Sequence, residues 1–254
     1  MLNSPAPSES EPAVPDGYRA YAIGDIHGRL DLLDQLLAKI HDDLERRPVA
    51  KTLLVFVGDL IDRGPSSAQV IERLRTYRRD GVRPIFVLGN HEEVLLRILK
   101  GDAQLITKWR WFGGAECLQS YGIDPAQIAS MTDEEALSLM RSAIPAEHVE
   151  FVEGFIDSCR LGDYLFVHAG IRPGIEIDQQ LQADLRWIRE PFLLDDSDHG
   201  FVVVHGHTIC CEVEERHNRI GIDTGAYRSG ILTALAVEGN ERWVIDTSGA
   251  ADPR

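Results

Sequence analysis

Five short apolar runs in this chain each end directly in a residue able to bind a metal or move a proton. That coincidence constrains the fold more than any other feature. The runs read AIGDIH, VFVGDLID, FVLGNHE, LFVHAG and VVVHGHT, and they deliver Asp25, His27, Asp59, Asn90, His168 and His207. In open α/β sheets ligands collect at the carboxyl ends of strands, so strands that finish this way bring residues distant in sequence to one place. Taken singly, Asp25 or Asp59 could equally be a helix cap and Asn90 a turn residue. Five such endings in one chain point to a shared site.

The order of elements fits that reading. Apolar runs at Tyr18–Ile23, Leu53–Val57 and Pro84–Leu88 alternate with helical spacing at Leu30–Leu44, Ser66–Arg78 and Glu92–Leu99. From about Gly101 to Asp157 strand character disappears, and segments such as Asp133–Arg141 and Ala146–Ser158 carry helical spacing with acidic starts, as a helical insert would. Strand-rich runs return at Tyr164–Val167, Phe201–Val204, Arg219–Ile222, Ile231–Val237 and Arg242–Ile245. With no internal repeat and no linker between residues 18 and 247, the pattern predicts one α/β domain with an embedded insert, flanked by a disordered tail over 1–17 and a short tail over 248–254.

Ligand chemistry narrows the ion. Carboxylate and amide oxygens mixed with imidazole nitrogens, and no thiolate, suit manganese first, with iron or zinc as alternatives. Six candidate ligands exceed what one catalytic ion takes from its protein, whereas two ions sharing a carboxylate use them all. Such a pair, about 4 Å apart, can hold a bridging water and bring its pKa toward neutrality for direct attack on a phosphoryl group.

These motifs resemble the calcineurin-like metallophosphoesterases, whose signature runs GD-x-H-G, GD-x-x-D-R-G, GNHE and two later histidines. Here they are Gly24–Gly28, Gly58–Gly64, Gly89–Glu92, His168 and His207. The W-x-R at Trp187–Arg189 and IDTGA at Ile222–Ala226 place the resemblance nearest the bacterial and phage Ser/Thr phosphoprotein phosphatases, over about residues 18 to 240. It implies an αββα sandwich of two facing mixed sheets with helices outside. Asp25, His27 and Asp59 would hold one metal, and Asp59, Asn90, His168 and His207 the other. His91 would be a general acid oriented by Asp62, and Arg63 and Arg189 would clamp phosphate oxygens. The sequence departs from the wider superfamily at Ile209, where a further histidine often stands, so water would complete the first metal. The implied activity is a phosphomonoesterase on phosphoserine or phosphothreonine in proteins, also active on aryl phosphates. The alternatives are symmetrical cleavage of diadenosine tetraphosphate and an inactive metal-binding scaffold.

The remaining features mostly exclude. A net charge of −15 disfavours general nucleic-acid and acidic-membrane binding, and no apolar run is long enough to span a bilayer. Four cysteines without a C-x-x-C pair, and no secretory signal, lead to an expectation of cytoplasmic residence. Cys210–Arg216 spells C-x5-R, yet its intervening glutamates would repel an anionic substrate and it lacks a glycine-rich backbone nest. His205 is read as structural, His41, His148, His199 and His217 as surface or capping residues, and Arg29 and Arg228 as more often solvated or paired than phosphate ligands, with a supporting place behind the site left open. The cluster Trp109, Trp111, Phe112, Gly113, Gly114 and Tyr121 is read as the insert's own small core, the alternative being a lid over the substrate.

Overall fold

The structure is a computed structural model that describes residues 11–249. Its elements run in chain order β1 (Tyr18–Ile23), α1 (Leu30–Arg46), β2 (Lys51–Phe56), α2 (Ser67–Arg75), β3 (Val82–Phe86), α3 (Asn90–Lys100), α4 (Leu105–Trp109), α5 (Ala115–Ser120), α6 (Pro125–Ala129), α7 (Asp133–Ala143) and α8 (Ala146–Glu153). There follow β4 (Ser158–Leu161), β5 (Tyr164–Val167), α9 (Gln182–Trp187), β6 (Val202–His205), β7 (Glu214–Glu215), β8 (Arg219–Gly221), α10 (Ala226–Ser229), β9 (Thr233–Glu238) and β10 (Glu241–Asp246).

Alternation within the strands builds the layers. In β1, Ala20 and Ala22 face one way and Tyr21 and Ile23 the other, as the two-residue period of a strand requires. Ala20, Ala22, Val55 and Val57 meet Tyr164, Phe166, Val202 and Val204 across the space between two sheets. Tyr21, Ile23, Leu54 and Phe56 point outward onto α1, α2 and α3, where α1 presents Leu32, Leu33, Leu36, Leu37 and Ile40 as one apolar stripe. On the far side Leu165, Val167 and Val203 pack against Leu185 of α9, Ile188 and Phe192. The result is the αββα sandwich.

Both sheets are mixed, and their parallel strands aim the site. The first has the order β10-β9-β1-β2-β3, with β1, β2 and β3 parallel; the second has the order β4-β5-β6-β8-β7, with β5, β6 and β8 parallel. Chain ends of β1, β2, β3, β5 and β6 therefore open toward the same edge of the sandwich.

Three expectations are corrected. Ala146–Ser158 is not one helix: α8 stops at Glu153, Ile156 pairs with Val87 beyond β3, and the chain then enters the second sheet as β4. Residues 11–17 are ordered. Val14 is buried between the sheets and its amide donates to Gly239 O, while Ala13 N donates to Asp163 Oδ2 and Asp163 N to Ala13 O. This strap ties the β9–β10 turn to the β4–β5 turn, at the end remote from the ligand loops. Residues 1–10 and 250–254 of the expected tails lie outside the described residues. Finally, the aromatic cluster is no separate core: Trp109 is buried with Ile106, Cys117 and Leu118 in the cluster shared with α1, α2 and α3, whereas Trp111 and Phe112 are exposed. Among the described residues no helix is long and apolar enough to cross a membrane.

Candidate metal centre and cleft

Backbone strain marks the site before any side chain is considered. Among the described residues the non-glycine positions with positive φ are His27 (46°), Asp59 (49°), Asp62 (72°), Arg63 (66°) and His207 (62°). Each is a residue singled out by the motifs. The left-handed region costs a non-glycine residue about 1 kcal/mol or more, so the surrounding packing holds strain where it aims these side chains. Close approach adds a second constraint. A Cβ on Gly206 would stand 2.0 Å from Asp25 Oδ1, so only glycine lets the β6 loop reach the β1 loop.

The six proposed ligands converge. Asp59 is common to two clusters, one with His27 and His91 and one with His168 and His207, in each of which the potential ligand atoms lie within 4.8 Å of one another. His168 Nε2 is 2.9 Å and His207 Nδ1 2.9 Å from Asn90 Oδ1, and His168 Nε2 is 3.4 Å from Asp59 Oδ1. Asp25 accepts from the His207 amide at 3.1 Å, so the β1 carboxylate and the β6 loop are joined directly.

The protons on the ligand side chains leave room for cations. His27 Nδ1 donates to Ile61 O and His168 Nδ1 donates to Val57 O, each at 2.8 Å, because a carbonyl can only accept. Burial pushes both imidazoles below their ordinary value, so they are neutral and their Nε2 atoms carry lone pairs. The His168 lone pair thus meets the Asn90 oxygen, and that of His27 meets Asp59 Oδ2 at 3.7 Å, with no proton to share. His27 Nε2 and His207 Nε2 are buried without a hydrogen-bond partner among the described residues. Burial, then the neighbouring Asp223 and Asp59 carboxylates, push Asp25 well above the usual carboxylate range. Acceptors facing acceptors and clustered buried carboxylates are relieved by cations, so the residues fit a metal centre.

Beside it stands the pair His91 and Asp62. His91 Nδ1 donates to Asp62 Oδ2 at 2.6 Å, and its Nε2 faces the cleft, 3.2 Å from Arg63 and 3.8 Å from Asp59 Oδ2. Burial works against charge on His91, yet the Asp59 and Asp62 carboxylates outweigh it and lift the imidazole to about 9. Cations at Asp59 would cancel part of that lift. Arg63 lies over the Tyr227 ring, 4.7 Å from its centroid, and Arg189 is exposed, donating to His207 O at 3.3 Å. The cleft between them has a volume of about 440 Å³. Arg63, Arg97, Lys108 and Arg189 line it together with Trp109, Phe112 and Trp187, and no carboxylate joins that lining among the described residues.

Sequence reasoning left three contributors without a role. Glu92, at the third position of α3, accepts from the amides of Asp59, Leu60, Ile61 and Gly89 at 2.8 to 3.2 Å and so shapes the Asp59 loop. The signal was present as Gly89 followed three residues later by glutamate at a helix start. Asp223 of IDTGA lies against Asp25 and accepts from Gly225 N. Burial lifts its carboxyl to about 6. Trp109 donates from Nε1 to Asp62 Oδ2 at 2.7 Å, a contact that no local pattern encodes.

Other readings divide. His205 is buried, turned to Gly206 O and Phe192, away from the ligands. His148 is not a surface residue: it is buried between Tyr121 and Glu72, joining α8 to α2. In the C-x5-R segment Glu214 is part of β7, and burial lifts the Cys210 thiol to about 11, which removes its thiolate at neutral pH.

The sequence profile of the calcineurin-like phosphoesterases matches residues 18–219. The chain belongs to that family. A bis(5'-nucleosyl)-tetraphosphatase (asymmetrical) from Bacillus subtilis (strain 168) is 27% identical over 84% of this chain and 88% of its own length. A crystal structure described as a candidate diadenosine tetraphosphatase superposes with a TM-score of 0.63 at 22% identity, covering 94% of this phosphoesterase and 100% of that chain. A protein serine/threonine phosphatase from Saccharomyces cerevisiae superposes at 0.52 with 12% identity, over 96% and 86% of the two chains. At such identities the structural likenesses establish the fold.

Proposed function

We propose that this phosphoesterase hydrolyses dinucleoside polyphosphates, with Asp25, His27 and Asp59 holding one metal ion and Asp59, Asn90, His168 and His207 a second. The observation that carries the substrate reading is the cleft. In a chain of net charge −15, Arg63, Lys108 and Arg189 gather with three aromatic side chains beside the metal ligands, together with Arg97, which is paired with Asp102. A polyphosphate needs several positive partners, and a base needs an aromatic face, which the exposed rings of Phe112 and Trp187 offer. The names of the tetraphosphatase relatives support the same choice. It reverses the order of substrates expected from sequence, where a phosphoprotein came first.

Bound cations would supply Lewis acidity, charge neutralisation and a water of lowered pKa. The chain's own residues do the rest. Arg63 and Arg189, both lining the cleft, orient phosphate oxygens by bidentate hydrogen bonding. His91, held through Nδ1 by Asp62, presents Nε2 as the proton donor to the departing oxygen. That last feature favours a second reading, a phosphomonoesterase acting on phosphoprotein, because an alkoxide needs a proton far more than a nucleoside phosphate does.

Kinetics on diadenosine tetraphosphate and on a phosphoserine peptide, with manganese, zinc or iron supplied in turn, separate the readings. We expect the dinucleotide to give the higher kcat/KM by at least about tenfold, the scale of one hydrogen bond to a charged group. A phosphopeptide advantage would overturn the dinucleotide reading, and no turnover of either would favour the inactive scaffold. Product analysis then decides regiochemistry: asymmetrical cleavage leaves a mononucleotide and a triphosphate, symmetrical cleavage two diphosphates.

A further inference from the structure

The insert reaches the proton-donor pair through the Trp109 indole, with the buried Cys117 thiol also beside Asp62. Trp109 closes α4 and is 3% exposed, and its Nε1–H donates at 2.7 Å to Asp62 Oδ2, the same oxygen that accepts from His91 Nδ1 at 2.6 Å. Asp62 is fully buried on a strained backbone, with φ 72° and its amide donating to Ser67 Oγ. One donor alone would leave that carboxylate free to turn about its last torsion. Two donors converging on one oxygen from different directions fix both the plane of the carboxylate and the imidazole it holds.

The surrounding chain is shaped around this contact. Gly114 lies flat on the indole, where a Cβ would come within 2.3 Å of the ring. The neighbouring Gly113, at φ 108°, accepts through its carbonyl from Arg63 N at 2.9 Å, so the segment 109–114 holds Asp62 through the indole and Arg63 through this carbonyl. A residue needed only to fill space would not require a donor aimed at a charged oxygen.

We propose that Trp109 is a positioning residue for proton delivery, its N–H holding Asp62 so that His91 keeps Nε2 toward the leaving group. This rests on the reading of His91 as proton donor. The insert then contributes to chemistry as well as to the cleft wall, by an element that the paired strand motifs do not include.

The test compares phenyl phosphate, whose leaving group is the more basic, with p-nitrophenyl phosphate on the manganese-reconstituted full chain. Trp109→Phe keeps an aromatic ring, a smaller one, and removes the donor. It should lower kcat on phenyl phosphate roughly tenfold, the scale of one hydrogen bond to a charged group, leaving KM unchanged and p-nitrophenyl phosphate within about twofold. Replacement of Trp109 by its benzothienyl isostere, which retains the fused ring and lacks only the N–H, should reproduce the selective loss even if the phenylalanine variant folds poorly. Equal losses on both substrates, or wild-type rates with the isostere, would overturn the proposal. His91→Ala measured alongside tells the two ideas apart. If His91→Ala is selective for the basic leaving group and the isostere is not, Trp109 has no positioning role and the proton-donor reading stands. If His91→Ala is itself unselective, both fall.

Discussion

At the scale of single residues, Asp59 has the most demanding position. Its Oδ1 accepts from His91 N at 3.1 Å and lies 3.4 Å from His168 Nε2, while Oδ2 faces His27 and His91. Asp59→Asn keeps the shape and removes the charge that two cations would share. It should weaken both metals together by roughly tenfold or more, read as metal content after gel filtration. Full retention of one ion would show that Asp59 serves only the other. The six ligand candidates were named from sequence because each stands at the end of an apolar run, whereas His91, Asp62, Arg63 and Arg189 came only from the family resemblance, Arg189 from the W-x-R at the end of α9. Glu92 and Asp223 stood in the same motifs but reach the site through backbone amides and a second carboxylate. Residue type alone does not announce such contacts.

At the scale of elements, strands were read better than their surroundings. β1 and β5 fall where alternation and apolar runs place them, since their side chains pack on both faces. β4 and β7 escaped because they are short edge strands with polar or charged residues, formed by pairing with a partner that sequence does not display. In the insert, helical spacing with an acidic start made α7 readable, and the structure adds a Thr132–Glu135 capping box, whereas α4 to α6 are stubs of five or six residues joined by turns. The strap over residues 11–17 is the clearest reversal. Its Pro and Glu content resembles a tail, yet Val14 is 3% exposed between the sheets. Val14→Ala removes two buried methyl groups and should cost about 1–2 kcal/mol in urea unfolding, with kcat unchanged because the strap lies at the end away from the ligands. An unchanged midpoint would show that the strap contributes nothing to stability.

At the scale of the whole molecule, the candidate ligands come from both sheets: Asp25, His27, Asp59 and Asn90 follow strands of the first, His168 and His207 strands of the second. Cations bound there would link the two halves of the sandwich, so removing them should lower stability as well as activity. With each ion near a hundred times its Kd, binding at one site contributes about 2.7 kcal/mol, and Tm should fall by about 5–10 °C on chelation and recover with manganese. A Tm indifferent to chelator would mean that the folded chain binds no metal tightly. By itself the sequence determined where the main strands run, the residues at their ends and hence the class of chemistry, because strand pattern and ligand type are local properties of a few consecutive residues. Only the tertiary structure decided that the insert shares the main core, that Trp109 meets Asp62 across 47 positions, and that four cations gather in one cleft of an acidic chain. These are contacts between surfaces brought together by burial, and no spacing along the chain encodes them.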